Sequence, residues 1–179
     1  MTRRPVDLTK LITDRIRDVP DYPKPGVVFK DITPLLADHT AFAGVVDAIV
    51  AHYGRGTIDK VAGVEARGFI LAAPVAYHFG AGFVPVRKAG KLPSATHAES
   101  YDLEYGSETV EVHQDAFTPG EQVLIVDDVL ATGGTARATA DLVRRTGAEV
   151  AGISVLMELG FLKGRDKLNG LDVHALVTI

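Results

Sequence analysis

The sequence predicts an α/β fold, a mostly parallel twisted sheet flanked by helices, with a small N-terminal segment ahead of it. Three observations predict it. Short apolar runs at 58–64, 83–87, 123–126, 149–158 and 171–179 alternate with helical patterns at the spacing of βαβ units. Glycine or proline punctuates many of the junctions. The 179 residues, 46% of them hydrophobic, can bury one core with room for a small appendage.

In chain order, Leu8, Leu11, Ile12, Ile16 and Val19 recur at helical spacing. They predict an amphipathic helix over 6–18, stopped near Pro20, with Arg15 and Arg17 on its solvated face. Pro20, Pro23 and Pro25 make 21–36 stiff and non-helical, a segment cheap in entropy to hold over a ligand. Phe42, Val45, Val46, Ile49 and Val50 form the face of a helix over 41–53, ended by Gly54 and Gly56. The strand at 58–64 leads into Glu65-Ala66-Arg67-Gly68. Arg67, at a strand's carboxyl end, is placed to hold an anion; the plainer reading is a salt bridge to Glu65 or a neighbour. A helix over 68–78 follows, with a kink or early break at Pro74.

Strand 83–87 runs into a loop carrying Arg87, Lys88 and Lys91, shaped by Gly90 and Pro93. Three cations there suit a diphosphate, and the plainer reading is a solvated charge run. Residues 94–107 are polar with little periodicity, which predicts a mobile loop between two strands, the second returning at 110–113. Later elements are a helix over 136–145, a strand over 149–158, a short helix or loop over 159–168, and a last strand over 171–179 at the sheet edge.

The chain is organised around 123–136. Four apolar residues, Val123 to Val126, form a short buried strand closed by Asp127 and Asp128. After Val129 and Leu130, the residues Ala131, Thr132, Gly133, Gly134 and Thr135 make a tight turn into a helix. Strand, small-residue turn and helix make a phosphate cradle, because glycines let backbone N–H groups converge and the helix start adds partial positive charge. The carboxylates would repel a phosphate unless they face sugar hydroxyls or a metal. A ribose carrying a 5-phosphate, with Mg2+ nearby, satisfies all of this. The plainer reading is a strand-turn-helix corner with capping aspartates. A Walker A loop and a Rossmann fingerprint are excluded, since neither glycine pattern is present.

The same stretch resembles the phosphoribosyl diphosphate (PRPP) signature of type I phosphoribosyltransferases: apolar run, acidic pair and A-T-G-G-T turn match in order. The segment P-G-V-V-F-K-D-I-T-P at 25–34 resembles the N-terminal hood of the adenine phosphoribosyltransferases within that family. Arg87-Lys88-Ala89-Gly90-Lys91-Leu92-Pro93 matches the family's R-K-x-G-K-L-P, and Tyr101 to Gly106 resembles its S-Y-x-L-E-Y-G. The resemblance implies a type I phosphoribosyltransferase fold, with a helix and base-binding hood over 1–36 and a core over 37–179 carrying a lid loop at about 94–108. It implies that Val28 and Lys30 meet the adenine edge through their backbone, with Phe29 against its face and Val129 also in contact. Many members carry arginine in place of Lys30, a change of little consequence for a backbone contact. Asp127, Asp128 and Ala131 to Thr135 would hold PRPP or AMP, and Arg67, Arg87, Lys88 and Lys91 the diphosphate. Glu104, Tyr105, Asp127, Asp128 and Arg67 are the implied catalytic set, with Glu104 exchanging a proton with the purine. The implied cofactor is Mg2+ carried by PRPP, with no direct protein ligand assigned. The implied assembly is a homodimer that brings the Arg87 region near the partner's site, and the peptide before Arg67 is often cis in the family.

The expected activity is therefore transfer of the 5-phosphoribosyl group of PRPP to adenine, giving AMP and pyrophosphate. A phosphoribosyltransferase for another base stands beside it, as does a regulator that binds PRPP or a nucleotide without turnover. The hood argues against the first. Against the second, the residues before the core are already used by the hood. A net charge of -4 argues against nucleic acid or an anionic membrane as partner. With Cys 0, disulfides and thiolate chemistry are absent, and the histidines show no metal-ligand spacing. No apolar run reaches the ~20 residues of a membrane span. The start lacks the apolar stretch of a signal peptide, so the expected location is cytoplasmic.

Overall fold

The computed structural model describes residues 7–103 and 106–179, in two units, one ending at Ala48 and the other Ile49–Ile179. In the first, Asp7 accepts the Lys10 N–H and starts α1 (Leu8–Thr13). The chain then turns into β1 (Arg17–Pro20), which pairs antiparallel with β2 (Val28–Asp31). The expected helix over 6–18 is thus cut short. Residues 17–20 pair along their length with β2 instead, and cross-strand ion pairs, Arg17 to Asp31 at 2.6 Å and Lys30 to Asp18 at 2.7 Å, add to that pairing. Arg15 reaches Asp38 at 2.6 Å, so Arg15 and Arg17 are ion-paired rather than simply solvated. The non-helical reading of 21–36 fails at its end. There α2 (Thr33–Ala37) starts with Pro34 in its first turn, where the missing N–H costs nothing. Helix α3 (His39–Tyr53) follows, and Gly54 and Gly56 both take positive φ, 79° each, where only glycine is unstrained.

The second unit is a seven-stranded sheet. Its elements are β3 (Lys60–Val64), α4 (Gly68–Phe79), β4 (Gly82–Lys88), β5 (Thr96–Asp102), β6 (Ser107–His113), β7 (Gln122–Leu130), α5 (Gly134–Arg145), β8 (Glu149–Glu158) and β9 (Val173–Thr178). The order is β5-β6-β4-β3-β7-β8-β9, with β9 at an edge as expected. Pairings from β4 through β9 are parallel, while β6 joins β4 and β5 antiparallel. Helix α4 runs through Pro74 without the expected break. Proline removes one N–H, whose helical acceptor would be the carbonyl of Ile70, an exposed residue that water can satisfy.

The core packs Ala62, Ile125, Ile153 and Val155 of the central strands against Ala138, Leu142 and Val143 of α5. Truncating a fully buried leucine such as Leu142 to alanine costs ~2–5 kcal/mol. Leu159 to Leu168, expected as short helix or loop, holds two short 3-10 helices, Gly160–Leu162 and Gly164–Leu168. Residues 94–107 are the largest departure. Seven of them form β5, paired along its whole length with β6. The covered face of β5 carries His97, Glu99 and Tyr101, so its strand alternation is invisible to hydropathy. Arg145 of α5 holds this strand through Glu99 and through the Ala98 carbonyl at 2.7 Å.

Candidate active site

Strands β3 and β7 are neighbours, yet β3 leads on to β4 on one side and β7 to β8 on the other. Crevices at the carboxyl ends of such a pair are where open α/β sheets bind ligands. Two side chains meet there. A guanidinium nitrogen of Arg67, just past β3, lies 2.8 Å from Asp128 Oδ2 on β7. The contact is charge pairing off the N–H direction, so buried Oδ2 has no hydrogen bond of its own. Asp127 Oδ1 accepts the Asp128 N–H at 2.8 Å and packs on Gly68 of α4, where a Cβ would stand 2.9 Å from it. Burial pushes both carboxyls up. The charge of Asp128 pushes Asp127 further, while Arg67 pulls Asp128 back. Of the two, Asp127 is pushed further from its ordinary range, because Arg67 offsets more of the burial at Asp128.

Strand β7 does not close at the acidic pair, as the sequence suggested. It continues to Leu130, because the ten residues of β8 supply partners for Asp127, Val129 and Leu130. The turn then reverses within Ala131 to Gly133. Gly133 has φ 80° and caps α5, which begins at Gly134, two residues earlier than expected. The first helical bond runs from Arg137 N–H to Gly133 O at 3.0 Å. Helix geometry thus leaves the N–H groups of Gly134, Thr135 and Ala136 without helical partners at the positive end of a twelve-residue helix. A cavity of about 30 Å³ lies behind the turn, lined by Asp127, Val129, Ala131, Gly133 and Thr135 among others.

Gly164 braces the turn. A Cβ on Gly133 would stand 2.3 Å from the Gly164 carbonyl oxygen, and one on Gly164 would stand 2.3 Å from that of Ala131. Arg165 locks this bracing segment by donating to both oxygens of Glu158, at 2.9 and 2.7 Å.

The cation loop is held by carboxylates. Glu65, two residues before Arg67, accepts from Lys91 Nζ at 2.5 Å, from the Lys88 N–H at 2.9 Å and from Arg87 Nε at 3.4 Å. Burial would raise the Glu65 carboxyl, but Lys91, Lys88 and Arg87 outweigh it and hold it down at about 2. The Gly90 N–H donates to Glu111 at 3.1 Å and Lys88 Nζ to Glu108 at 2.9 Å. From Glu108 a chain of bonds crosses to the turn: Tyr101 donates to Glu108 at 2.8 Å, and Thr135 donates to Tyr101 at 2.9 Å. Burial, with Glu108 beside it, pushes the Tyr101 hydroxyl up to about 12, so it keeps its proton and goes on donating.

A phosphoribosyl transferase domain family matches residues 33–172, from α2 to the residue before β9. An adenine phosphoribosyltransferase of Thermobifida fusca is 64% identical over 173 residues, covering 97% of this chain and 98% of that one. The chain belongs to the adenine phosphoribosyltransferase family. Among solved structures, the adenine phosphoribosyltransferase of Thermoanaerobacter pseudethanolicus superposes with TM-score 0.92 at 49% identity, covering 96% of this chain and 99% of that one. That of Saccharomyces cerevisiae, complexed with D-2,5-dideoxy-2,5-imino-altritol 1,6-bisphosphate and adenine, gives 0.90 at 38%, covering 94% and 98%. The fold is that of the type I phosphoribosyltransferases, as the sequence resemblance implied.

Within Ile49–Ile179 the structure brings together Arg67, Asp127, Asp128, the 131–135 turn and the Arg87 to Lys91 loop. The plainer reading of Arg67 is half met: it pairs with Asp128, and Glu65 serves the cation loop instead. The Glu65–Ala66 peptide is cis, in line with what the resemblance implied. Glu104 and Tyr105 lie outside the described residues. In the first unit, Val28 is exposed, Phe29 stacks edge-on against Tyr22 with centroids 5.2 Å apart, and Lys30 pairs with Asp18. Val28 and Lys30, two apart on β2, present their backbone groups to the same strand edge. Sequence reasoning missed Gly164, Glu108 and the bracing role of Tyr101. Only the second tyrosine of the S-Y-x-L-E-Y-G match had drawn a role, and Gly164 sits in a stretch with no local signal.

Proposed function

We propose that the chain transfers the 5-phosphoribosyl group of PRPP to adenine, giving AMP and pyrophosphate. The observation that carries this reading is the pairing, at one switch point, of an acidic pair, Asp128 buried and Asp127 partly so, with a glycine turn into a helix start. It is supported by relatives that bear the adenine phosphoribosyltransferase name along their whole length. In this reading the 131–135 turn and the first N–H groups of α5 hold the 5-phosphate. Asp127 and Asp128 hold the ribose hydroxyls and favour positive charge on the sugar. Attack by adenine N9 at the anomeric carbon passes through an oxocarbenium-like state, so catalysis is positioning and electrostatics with no covalent intermediate. Arg67, Arg87, Lys88 and Lys91 stabilise the departing diphosphate. Val28 and Lys30 read the base edge, Phe29 and Val129 contact the base, and Glu104 exchanges a proton with the purine beside Tyr105. These roles follow the family resemblance.

Among the described residues, no group of three or more His, Cys, Asp or Glu could hold a metal ion. The donors present, two adjacent carboxylates with one buried oxygen lacking a hydrogen bond, fit Mg2+ that brings most of its ligands with substrate. When bound, Mg2+ would neutralise diphosphate charge, and Asp127 or Asp128 are the residues that would face it. A homodimer that sets the Arg87 region near the partner's site belongs to the same reading. Exposed Ile70 and Tyr77, seven apart on α4, and exposed Phe83 on β4 support an apolar face for a second copy. No described helix is long and apolar enough to cross a membrane. A cytoplasmic location is part of the proposal.

The test is a panel of nucleobases incubated with PRPP and Mg2+, with pyrophosphate release measured as kcat/KM. Adenine is expected to exceed hypoxanthine and guanine by a factor of about a hundred or more, since a 6-oxo purine leaves two buried polar groups mismatched. Hypoxanthine within about tenfold of adenine would remove the adenine assignment.

A further inference from the structure

We propose that Glu65 is a positioning residue for the diphosphate step: it draws both ends of the cation loop onto one carboxylate and so presets the shape that receives the leaving group. The proposal rests on the reading of the Arg87 to Lys91 loop as the diphosphate site. Three contacts single Glu65 out. Its Oε1 takes Lys91 Nζ at 2.5 Å, and its Oε2 takes the Lys88 N–H at 2.9 Å and Arg87 Nε at 3.4 Å. Among the described residues, the loop's other carboxylates do less. Glu108 takes only Lys88 Nζ from the loop, and Glu111 takes only the Gly90 N–H. The Glu65 side chain is 11% exposed, and its contacts hold it ionised far below neutral pH. Three like charges within five residues repel one another, and the lysine stems are long and mobile. A fixed anion between them converts a splayed set into a convergent one before substrate arrives.

A carboxylate on the cations could instead compete with the diphosphate. The Lys88 N–H argues against that. A backbone bond fixes the path of the chain, so this contact shapes the loop besides neutralising its cations. Glu65 also joins the loop to the strand end that carries Arg67, since its own N–H donates to the Val86 carbonyl at 2.9 Å. The cation loop and Arg67 are thereby held in one register.

The experiment compares Glu65→Ala, Glu65→Gln and Lys91→Ala in the full chain with Mg2+ present. It reads KM for PRPP, KM for adenine and kcat, with thermal unfolding as a control on folding. Glu65→Ala is expected to raise the PRPP KM about tenfold, leaving the adenine KM within about twofold. Glu65→Gln keeps an oxygen for the Lys88 N–H but loses the charge, and is expected to fall between. It also keeps the proposal testable should the alanine variant fold poorly. A PRPP KM that is unchanged in Glu65→Gln and Glu65→Ala overturns the proposal. So does a lower one, which would mean competition, or an adenine KM that rises in step, which would mean general disturbance. Lys91→Ala separates the two readings. If it raises the PRPP KM while both Glu65 variants do not, only the role of Glu65 falls. If it too leaves the PRPP KM unchanged, the loop is not the diphosphate site.

Discussion

The phosphate turn and the cation loop serve one proposed substrate but are built in opposite ways. The turn is made of backbone: a left-handed glycine, a helix start and the neighbouring carbonyl of Gly164, with buried Gly133 and Gly134 at its centre. The loop is made chiefly of side chains held by carboxylates some twenty or more residues away: Glu65 and Glu108 answer its cations, and Glu111 takes the Gly90 N–H. Backbone sites are rigid and tolerate little change. Side-chain sites are adjustable, and their cations stay partly exposed, from 33% at Arg87 to 52% at Lys88. The difference predicts where substitutions act through shape and where they act through charge.

The largest effect is expected at the acidic pair ahead of the turn, where charge can be removed with shape kept. Asp127→Asn is expected to lower kcat about a hundredfold, the scale of losing one well-placed electrostatic partner of a transition state. Stability should move the other way. Asp127 titrates in the folded chain above its ordinary 3.8. Its stability contribution is therefore full below 3.8 and lost as pH rises through the raised folded value. Asparagine escapes that loss. The variant should gain on the parent, in urea unfolding, as pH is raised from about 4 toward neutrality. A kcat near the parent's would mean the turn alone suffices.

The contrast also explains what was legible in the sequence. The strand, turn and helix of 123–145 are local, so apolar run, glycines and amphipathic spacing revealed them, with the helix start off by two residues. Arg87, Lys88 and Lys91 were found as cations at a strand end. Their partners were not, because Glu65 and Glu108 meet them only through sheet pairing. Strand β5 was missed because polar residues line its covered face, and β1 because Ile16 and Val19 fit a helix as well as a strand. The continuation of β7 past the acidic pair depends on its register with β8, whose length was legible but whose pairing no local pattern encodes.

Gly164 tests the backbone half of the comparison from outside the turn. Its Cβ would stand 2.3 Å from the Ala131 carbonyl oxygen and 3.1 Å from Gly133 N, both rigid backbone. Gly164→Ala must shift the turn, at a cost of ~1–3 kcal/mol. If that strain falls on the bound shape, PRPP affinity by calorimetry drops about tenfold. Gly160→Ala is the control in the same segment, because its nearest neighbour is only the Thr178 methyl at 3.1 Å. Equal effects from the two would show that the bracing contact is not special.

The smallest effect is expected where the two regions touch through side chains. Thr135 donates to the Tyr101 hydroxyl, which donates to Glu108, which also holds Lys88. A hydroxyl has one proton, so Thr135 cannot donate to Tyr101 and to a phosphate at once. Tyr101→Phe removes the middle of the chain. Stability should fall by about 1 kcal/mol, the net worth of a typical hydrogen bond, read from the urea midpoint at constant slope. The Thr135 proton is then released toward the turn, while Glu108 keeps Lys88. The PRPP KM is therefore expected to hold or fall, within about twofold, even as the fold weakens. Opposite signs for stability and affinity are what a contact that substrate must exchange produces. A PRPP KM that rises as stability falls would mean that Tyr101 builds the phosphate site. The turn would then depend on side chains as the cation loop does, and the contrast between them would not hold.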